Sequence, residues 1–142
     1  MPIPKLTKCW VAILVFFCGV AACADDSVAS AVKRLSTVET FAFGGVGYAG
    51  VTSKGEIDFK FILSQPQLTA LSAFEKLYAT ANPQGKSYAL SGIKKLNPKR
   101  FKELLPSSEA SRDEVEVMRG CIVSHEALWD VAKQIDRGKF RF

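Results

Sequence analysis

The first 24 residues include a segment that is too apolar to be part of the surface of a soluble domain. Lys5 and Lys8 are followed by 16 residues without a charge, residues 9–24, which include the unbroken apolar run at 10–18. A membrane-spanning helix needs about 18 or more apolar residues. A basic start, a short apolar run and a small-residue end are typical of a secretory signal peptide. We therefore expect export, with a permanent anchor helix as the alternative.

The leader ends in the letters VAAC at residues 20–23, which resemble the lipobox of bacterial lipoproteins. The resemblance implies cleavage just before Cys23 and a diacylglycerol thioether on its sulfur. With Ala24 rather than aspartate as the second mature residue, the enterobacterial sorting rule implies an outer-membrane lipoprotein that faces the periplasm. The same letters also fit ordinary signal cleavage, which would release a soluble periplasmic or secreted protein beginning at Asp25.

Removal of the leader changes the composition of the chain. The mature region, residues 24–142, has 119 residues, 43% of them hydrophobic, and a formal charge of +3. This length fits one domain, preceded by a short polar tether at residues 24–30. The mild charge and the compartment argue against a nucleic-acid partner. Three of the four cysteines lie in the first 23 residues, so the mature domain has no disulfide framework.

Apolar residues recur mostly with helical spacing, so we predict a mainly α fold with a short β-hairpin near the C-terminus. Successive helices with short loops resemble a small antiparallel helical-hairpin (HEAT-like) stack. Asn-Pro pairs at residues 82–83 and 97–98 predict two helix starts, and the final helix is expected over about 126–137, ended by Gly138. Residues 106–112 are predicted as a polar loop, and strands at 115–118 and 121–123 as the hairpin.

Residues 53–63 are ambiguous between helix and strand. Ser53 and Glu56 have capping-box spacing, which predicts a helix through residue 63. Residues 56–61 alternate between polar and apolar types, which is a strand pattern. We favour the helix.

The glycine-rich segment at residues 41–51 contains GVGYAG at 45–50, the letters of the dinucleotide-binding fingerprint. That fingerprint functions only between a strand and the helix that directly follows it in a parallel sheet. A strand is predicted at residues 41–43, before the fingerprint letters. Helix-forming residues are sparse until after Ser53, so a tight glycine loop whose Phe41, Phe43 and Tyr48 fold back on the core is favoured. A third interpretation is an exposed loop that recognises a partner.

Cys121 and His125 are the residues with most catalytic potential. A thiolate beside an imidazole, oriented by an acid such as Glu126 or Asp130, is the minimum of cysteine nucleophile chemistry. The two residues are four positions apart across a strand-to-helix junction, so their side chains need not meet. As metal ligands they would supply only two groups, whereas a closed zinc site generally needs four. We therefore expect Cys121 to be a buried thiol in the strand, with intermolecular pairing as the alternative.

These observations predict a binding protein rather than an enzyme. The expected partner is another envelope protein, as for an immunity, inhibitor or accessory protein, and the expected contact residues are Phe41, Phe43, Tyr48, Lys94, Lys95 and Lys99. No cofactor, nucleotide or metal is expected. The alternatives are a small envelope hydrolase or thiol enzyme that uses Cys121 and His125, and a structural lipoprotein. Basic residues at 94–102 are read mainly as a solvated helical face.

Overall fold

A computed structural model describes residues 21–142, with side chains described from Val28 onwards. Residues 1–20 of the predicted signal peptide and the side chain of Cys23 lie outside this range. The described chain is mainly helical. Its elements are α1 (Ala21–Ser36), β1 (Phe41–Ala42), β2 (Gly45–Val46), β3 (Val51–Thr52), α2 (Lys54–Leu63), α3 (Gln67–Thr80), α4 (Pro83–Leu96), α5 (Pro98–Ala110), β4 (Glu114–Arg119), β5 (Ile122–Ala127) and α6 (Leu128–Asp136).

Three helices begin at the side-chain caps that the sequence predicts. Each cap residue accepts a hydrogen bond from the backbone N–H three residues later, which satisfies one of the free donors of a helix start. The pairs are Ser53 with Glu56 at 3.0 Å, Asn82 with Gly85 at 2.8 Å and Asn97 with Arg100 at 3.1 Å. The helix predicted at residues 53–63 is therefore confirmed, and the strand pattern there is overridden.

Helix α4 is the centre of the domain. All of its residues from Ser87 to Ile93 are buried, and it packs against α3, α5, α6 and β4. Gly92 allows α3 to come close, because a Cβ atom there would lie only 2.4 Å from the ring of Phe74. The close approach of α3 and α4 therefore depends on the absence of a side chain at this position.

An aromatic cluster joins α4 to the glycine-rich segment and to the C-terminal tail. Ring centroids in the cluster lie 4.9 to 6.4 Å apart, most of them in edge-to-face geometry, which is favourable for aromatic pairs. Its members are Phe41, Phe43, Phe59, Phe74, Tyr88, Phe140 and Phe142. The last residues of the chain therefore belong to the folded domain.

The strands form two small sheets. The order of the larger sheet is β1-β4-β5, with β1 parallel to β4 and β4 antiparallel to β5. Strands β2 and β3 form a separate antiparallel hairpin. The sequence predicts the C-terminal hairpin and a strand near residues 41–43, but it does not predict the parallel pairing or the second hairpin. The segments involved are only two residues long, too short to show a periodic pattern.

The predicted loop at residues 106–112 is wrong in its first part, because α5 continues to Ala110. Pro106 lies inside the helix, where a missing N–H and ring crowding typically cost about 3 kcal/mol. The residues that follow Pro106 contact α3. The hydroxyl of Tyr78 lies 2.7 Å from that of Ser107 and 3.3 Å from that of the fully buried Ser108.

The C-terminal hairpin also differs from its predicted boundaries. Its turn is Gly120-Cys121, since Arg119 pairs directly with Ile122, and Gly120 has the positive φ of +61° that such a turn favours. Strand β5 then runs to residue 127, so α6 begins two residues later than predicted. Gly138, with a φ of +70°, ends α6 as predicted.

Residues 24–30, which we expect to act as a tether, lie within α1, and Val28 packs in the core. In the part of the chain that the structure describes, no helix combines the length and apolar character needed to cross a membrane.

Candidate functional site

The turns of the two hairpins are joined by a backbone hydrogen bond. The N–H of Gly47 donates to the carbonyl oxygen of Gly120, with a nitrogen–oxygen distance of 3.0 Å. The two turns therefore form a single surface region, made of residues 47–51 and 119–123, which we call the hairpin end.

Tyr48 is the most exposed large side chain of the hairpin end. It lies in a turn closed by the N–H of Gly50, which donates to the carbonyl oxygen of Gly47 at 3.1 Å. The relative exposure of Tyr48 is 103%, and Val51 beside the turn is 59% exposed. A Cβ atom at Gly45 would lie 2.9 Å from the carbonyl oxygen of Gly50, so the narrow hairpin requires glycine. The backbone of this turn therefore keeps the ring of Tyr48 exposed to solvent.

The β4–β5 turn adds further exposed apolar groups to the hairpin end. Ile122 is 72% and Val123 is 49% exposed, and these consecutive strand residues point to opposite faces of the hairpin. Cys121, in the turn itself, is exposed. Our prediction of a buried Cys121 in a strand is therefore wrong, because the turn lies one residue further along the chain than its sequence suggests.

Two of the predicted contact residues, Phe41 and Phe43, belong to the aromatic cluster instead. Phe41 is fully buried and Phe43 partly buried against the core. Tyr88 fixes this part of the segment, since its hydroxyl donates to the carbonyl oxygen of Ala42 at 2.8 Å and accepts from the N–H of Ala42 at 3.0 Å. Burial raises the pKa of Tyr88, so the hydroxyl keeps its proton. Of the three aromatic side chains, only Tyr48 faces solvent.

A buried carboxylate holds the base of the glycine segment. Glu56 is 3% exposed, and its Oε2 accepts the N–H of Gly44 at 2.8 Å, while Oε1 lies 2.6 Å from Nζ of Lys60. The capping-box spacing identifies Glu56 at a helix start, but its carboxylate binds Gly44 rather than the N–H of Ser53. Sequence analysis missed this positioning role because Gly44 lies 12 residues earlier.

The predicted lysine surface has mixed roles. Lys94 is partly buried, and its Nζ donates to the carbonyl oxygens of Ile135 and Asp136 at the end of α6. Lys95 is exposed, and its Nζ donates to the carbonyl oxygen of Phe142 at 3.1 Å. Lysine side chains at a helix end satisfy its free carbonyl groups. Lys99 is exposed on α5 and has no ion pair among the described residues.

The thiol and imidazole that could form a catalytic pair are not brought together. Cys121 lies in the turn and His125 is the fourth residue of β5, and a strand rises about 3.3 Å per residue, so four residues span roughly 13 Å. Both candidate acids are engaged elsewhere, Glu126 by Arg119 at 2.5 Å and Asp130 by Lys133 at 2.7 Å. The geometry does not form a nucleophile and base.

A polar network fixes the hairpin against α6. Glu126 accepts from Arg119, from Ser124 at 2.9 Å and from Gln134 at 2.6 Å, and Arg119 also donates to Gln134 at 2.8 Å. The guanidinium of Arg119, together with Gln134 and Ser124, lowers the pKa of Glu126 to about 2. Arg119 also lies over the ring of Phe140 at 5.3 Å. This network gives the hairpin end a rigid support.

The fingerprint letters at residues 45–50 do not form a nucleotide loop. They belong to the antiparallel β2–β3 hairpin, which lies between β1 and α2, so the glycines connect two strands and do not lie between a strand and the helix that follows it. Among the residues with described side chains, no group of three or more His, Cys, Asp or Glu residues is arranged to hold a metal ion.

No known protein-family model matches the chain. Searches of the curated proteins and of the solved structures likewise found no match.

Proposed function

We propose that this is an exported envelope protein that binds another protein through the hairpin end. The observation that carries the proposal is Tyr48, a tyrosine fully exposed on an ordered turn. Tyrosine is enriched at binding hot spots, and an aromatic side chain on a fixed backbone loses little conformational entropy when it is buried by a partner.

The apolar residues around Tyr48 support the same conclusion. Val51, Ile122 and Val123 are all at least 49% exposed, and Ile122 and Val123 lie on opposite faces of their hairpin. Such an end fits a concave partner surface better than a flat one, because a cavity can cover both faces at once. An immunity, inhibitor or accessory protein that inserts a hairpin into a partner's cleft would have this form.

The lipobox-like sequence supports the proposed location. Acylation at Cys23 would hold the domain at the periplasmic face of the outer membrane without a transmembrane segment. The intact mass of the mature protein tests this part. Acylated Cys23 gives the mass of residues 23–142 plus at least a diacylglycerol, whereas a chain that starts at Asp25 argues for ordinary signal cleavage.

The binding proposal is tested with a photo-cross-linking amino acid placed at position 48 in cells that express the protein. We expect one discrete cross-linked partner, whose identity is then read by mass spectrometry. The matched control position is Leu68 on α3, which is 83% exposed and lies in the groove between α1 and α3. Equal cross-linking from both positions would indicate non-specific contact.

Affinity for the identified partner provides the quantitative test. Truncation of a hot-spot tyrosine costs at least about 2 kcal/mol, or roughly thirtyfold in Kd. We therefore expect Tyr48→Ala to weaken binding by that factor and Leu68→Ala to leave it unchanged. Unchanged binding by Tyr48→Ala would refute the assignment of the hairpin end.

A further inference from the structure

The outer edge of β5 is not paired within the described domain. β5 is the last strand of its sheet, and the two-residue turn makes Arg119 and Ile122 a hydrogen-bonded pair. Hydrogen-bonded and non-hydrogen-bonded pairs then alternate along the hairpin, so the backbone N–H and C=O groups of Val123 and His125 point away from β4. No backbone hydrogen bond to a described residue outside the sheet satisfies these groups.

A groove lies beside this free edge, between β5 and α6. Its volume is about 530 Å³, within the range of known ligand sites. The β5 side includes His125, Glu126 and Ala127, and the α6 side includes Asp130 and Gln134. An extended chain that adds to an open strand edge gains main-chain hydrogen bonds from the edge, and the neighbouring groove receives its alternate side chains.

The charged side chains that line the groove favour an acidic ligand. Four cations line it, namely Arg119, Lys133, Arg137 and Lys139, against two carboxylates. Arg119 pairs with Glu126 and Lys133 with Asp130. Arg137 and Lys139 are exposed and form no ion pair with a described residue. The groove therefore keeps an uncompensated charge of about +2.

From the free edge, the adjoining groove and its unpaired cations, we infer that the β5–α6 groove binds an extended acidic peptide segment of a partner protein by strand addition. Side chains of an extended chain share a face at every second residue, so the segment carries carboxylates two residues apart. This surface shares Arg119 and Val123 with the hairpin end but does not include Tyr48, so the inference does not depend on Tyr48.

The test uses the mature domain with two six-residue peptides in an isotope-labelled NMR titration. One peptide alternates valine with glutamate, and the control alternates valine with lysine. We expect saturable binding of the acidic peptide only, with slowed hydrogen exchange at the amides of Val123 and His125. Binding without protection of these two amides would overturn strand addition, as would equal binding of both peptides.

Charge variants test the cations. Arg137→Glu combined with Lys139→Glu is expected to weaken binding of the acidic peptide at least about tenfold, because the two new carboxylates repel it. The matched control is Lys76→Glu with Lys99→Glu, which makes the same charge change at exposed sites elsewhere. Equal weakening by both pairs would overturn the groove as the binding site.

A backbone variant and a self-association measurement complete the test. His125→Pro removes an N–H group that points away from β4, and it keeps the hydrogen bonds between β5 and β4, because proline is tolerated on edge strands. This variant is expected to weaken binding of the acidic peptide at least about threefold. If the domain instead forms a dimer through β5 that the acidic peptide does not dissociate, the occupant is a second copy and the inference is wrong. Tyr48→Ala should leave peptide affinity unchanged, which separates failure here from failure of the hairpin-end proposal.

Discussion

Replacing Glu126 by glutamine tests whether the hairpin is anchored to α6 by charge. The variant keeps the size of the side chain but removes the negative charge that Arg119 faces at 2.5 Å. Because the folded-state pKa of Glu126, about 2, lies below its usual value of 4.5, ionised Glu126 stabilises the folded state. This contribution is complete above about pH 5 and is lost as the pH falls toward 2.

The size of the effect follows from the pKa. A decrease from 4.5 to about 2 corresponds to about 3 kcal/mol at 1.36 kcal/mol per pKa unit. Both partners retain solvent contact, with 44% of the Arg119 side chain and 20% of the Glu126 side chain exposed. Solvent screening reduces the value of such pairs, so we expect about 1–2 kcal/mol.

Urea unfolding at pH 7, 5, 3.5 and 2.5 measures this contribution. Wild type should be more stable than Glu126→Gln by about 1–2 kcal/mol at pH 7, and the difference should shrink toward zero at pH 2.5. Other carboxylates titrate equally in both proteins and cancel. Glu109→Gln, at an exposed position on α5, is the matched control and should show no such pH dependence. A difference that stays constant from pH 7 to 2.5 would refute the electrostatic explanation.

Three further outcomes are expected. Gly92→Ala should lower the free energy of unfolding by about 1–3 kcal/mol, because its Cβ overlaps Phe74, and adding Phe74→Leu should recover part of the loss in urea titrations. Tyr88→Phe should cost about 1–2 kcal/mol by the same assay, since the N–H of Ala42 loses the hydroxyl to which it donates, while the carbonyl oxygen of Ala42 keeps only its bond from Ser53. Cys121, being exposed, should react with a thiol reagent at similar rates in the folded and urea-unfolded protein; hundredfold protection would contradict its position in the turn.

Local signals in the sequence predict the helices well, and the reason is visible at their starts. Asn82 and Asn97 each satisfy a backbone donor three residues away, so the information lies within one turn of helix. The apolar spacing of α6 is likewise local. These interactions would exist in almost any tertiary context, so sequence analysis can recognise them.

The elements that sequence analysis missed depend on distant contacts. Helix α5 continues through Pro106, and the serines that follow it contact Tyr78, about 30 residues earlier on α3. The parallel pairing of β1 with β4 places Phe41 opposite Val117, far along the chain. Neither interaction leaves a periodic pattern near the residues it affects.

The candidate site was only partly predictable for the same reason. The sequence identifies the glycine-rich segment as a loop and predicts Tyr48 as a contact residue. Its neighbours across the hairpin end are set by the Gly47–Gly120 hydrogen bond, which joins two turns from opposite halves of the chain. The groove beside β5 likewise requires knowledge of the sheet order.

The bond between Gly47 and Gly120 also has a consequence for the order of events during biogenesis. Synthesis from the N-terminus delivers the glycine turn first, and its partner turn arrives only when the last quarter of the sequence is made. Contacts between distant segments form late in folding. The hairpin end is therefore completed only when both turns are present, so a product truncated before Gly120 would keep the turn that carries Tyr48 but lack the hydrogen bond that joins it to the second turn.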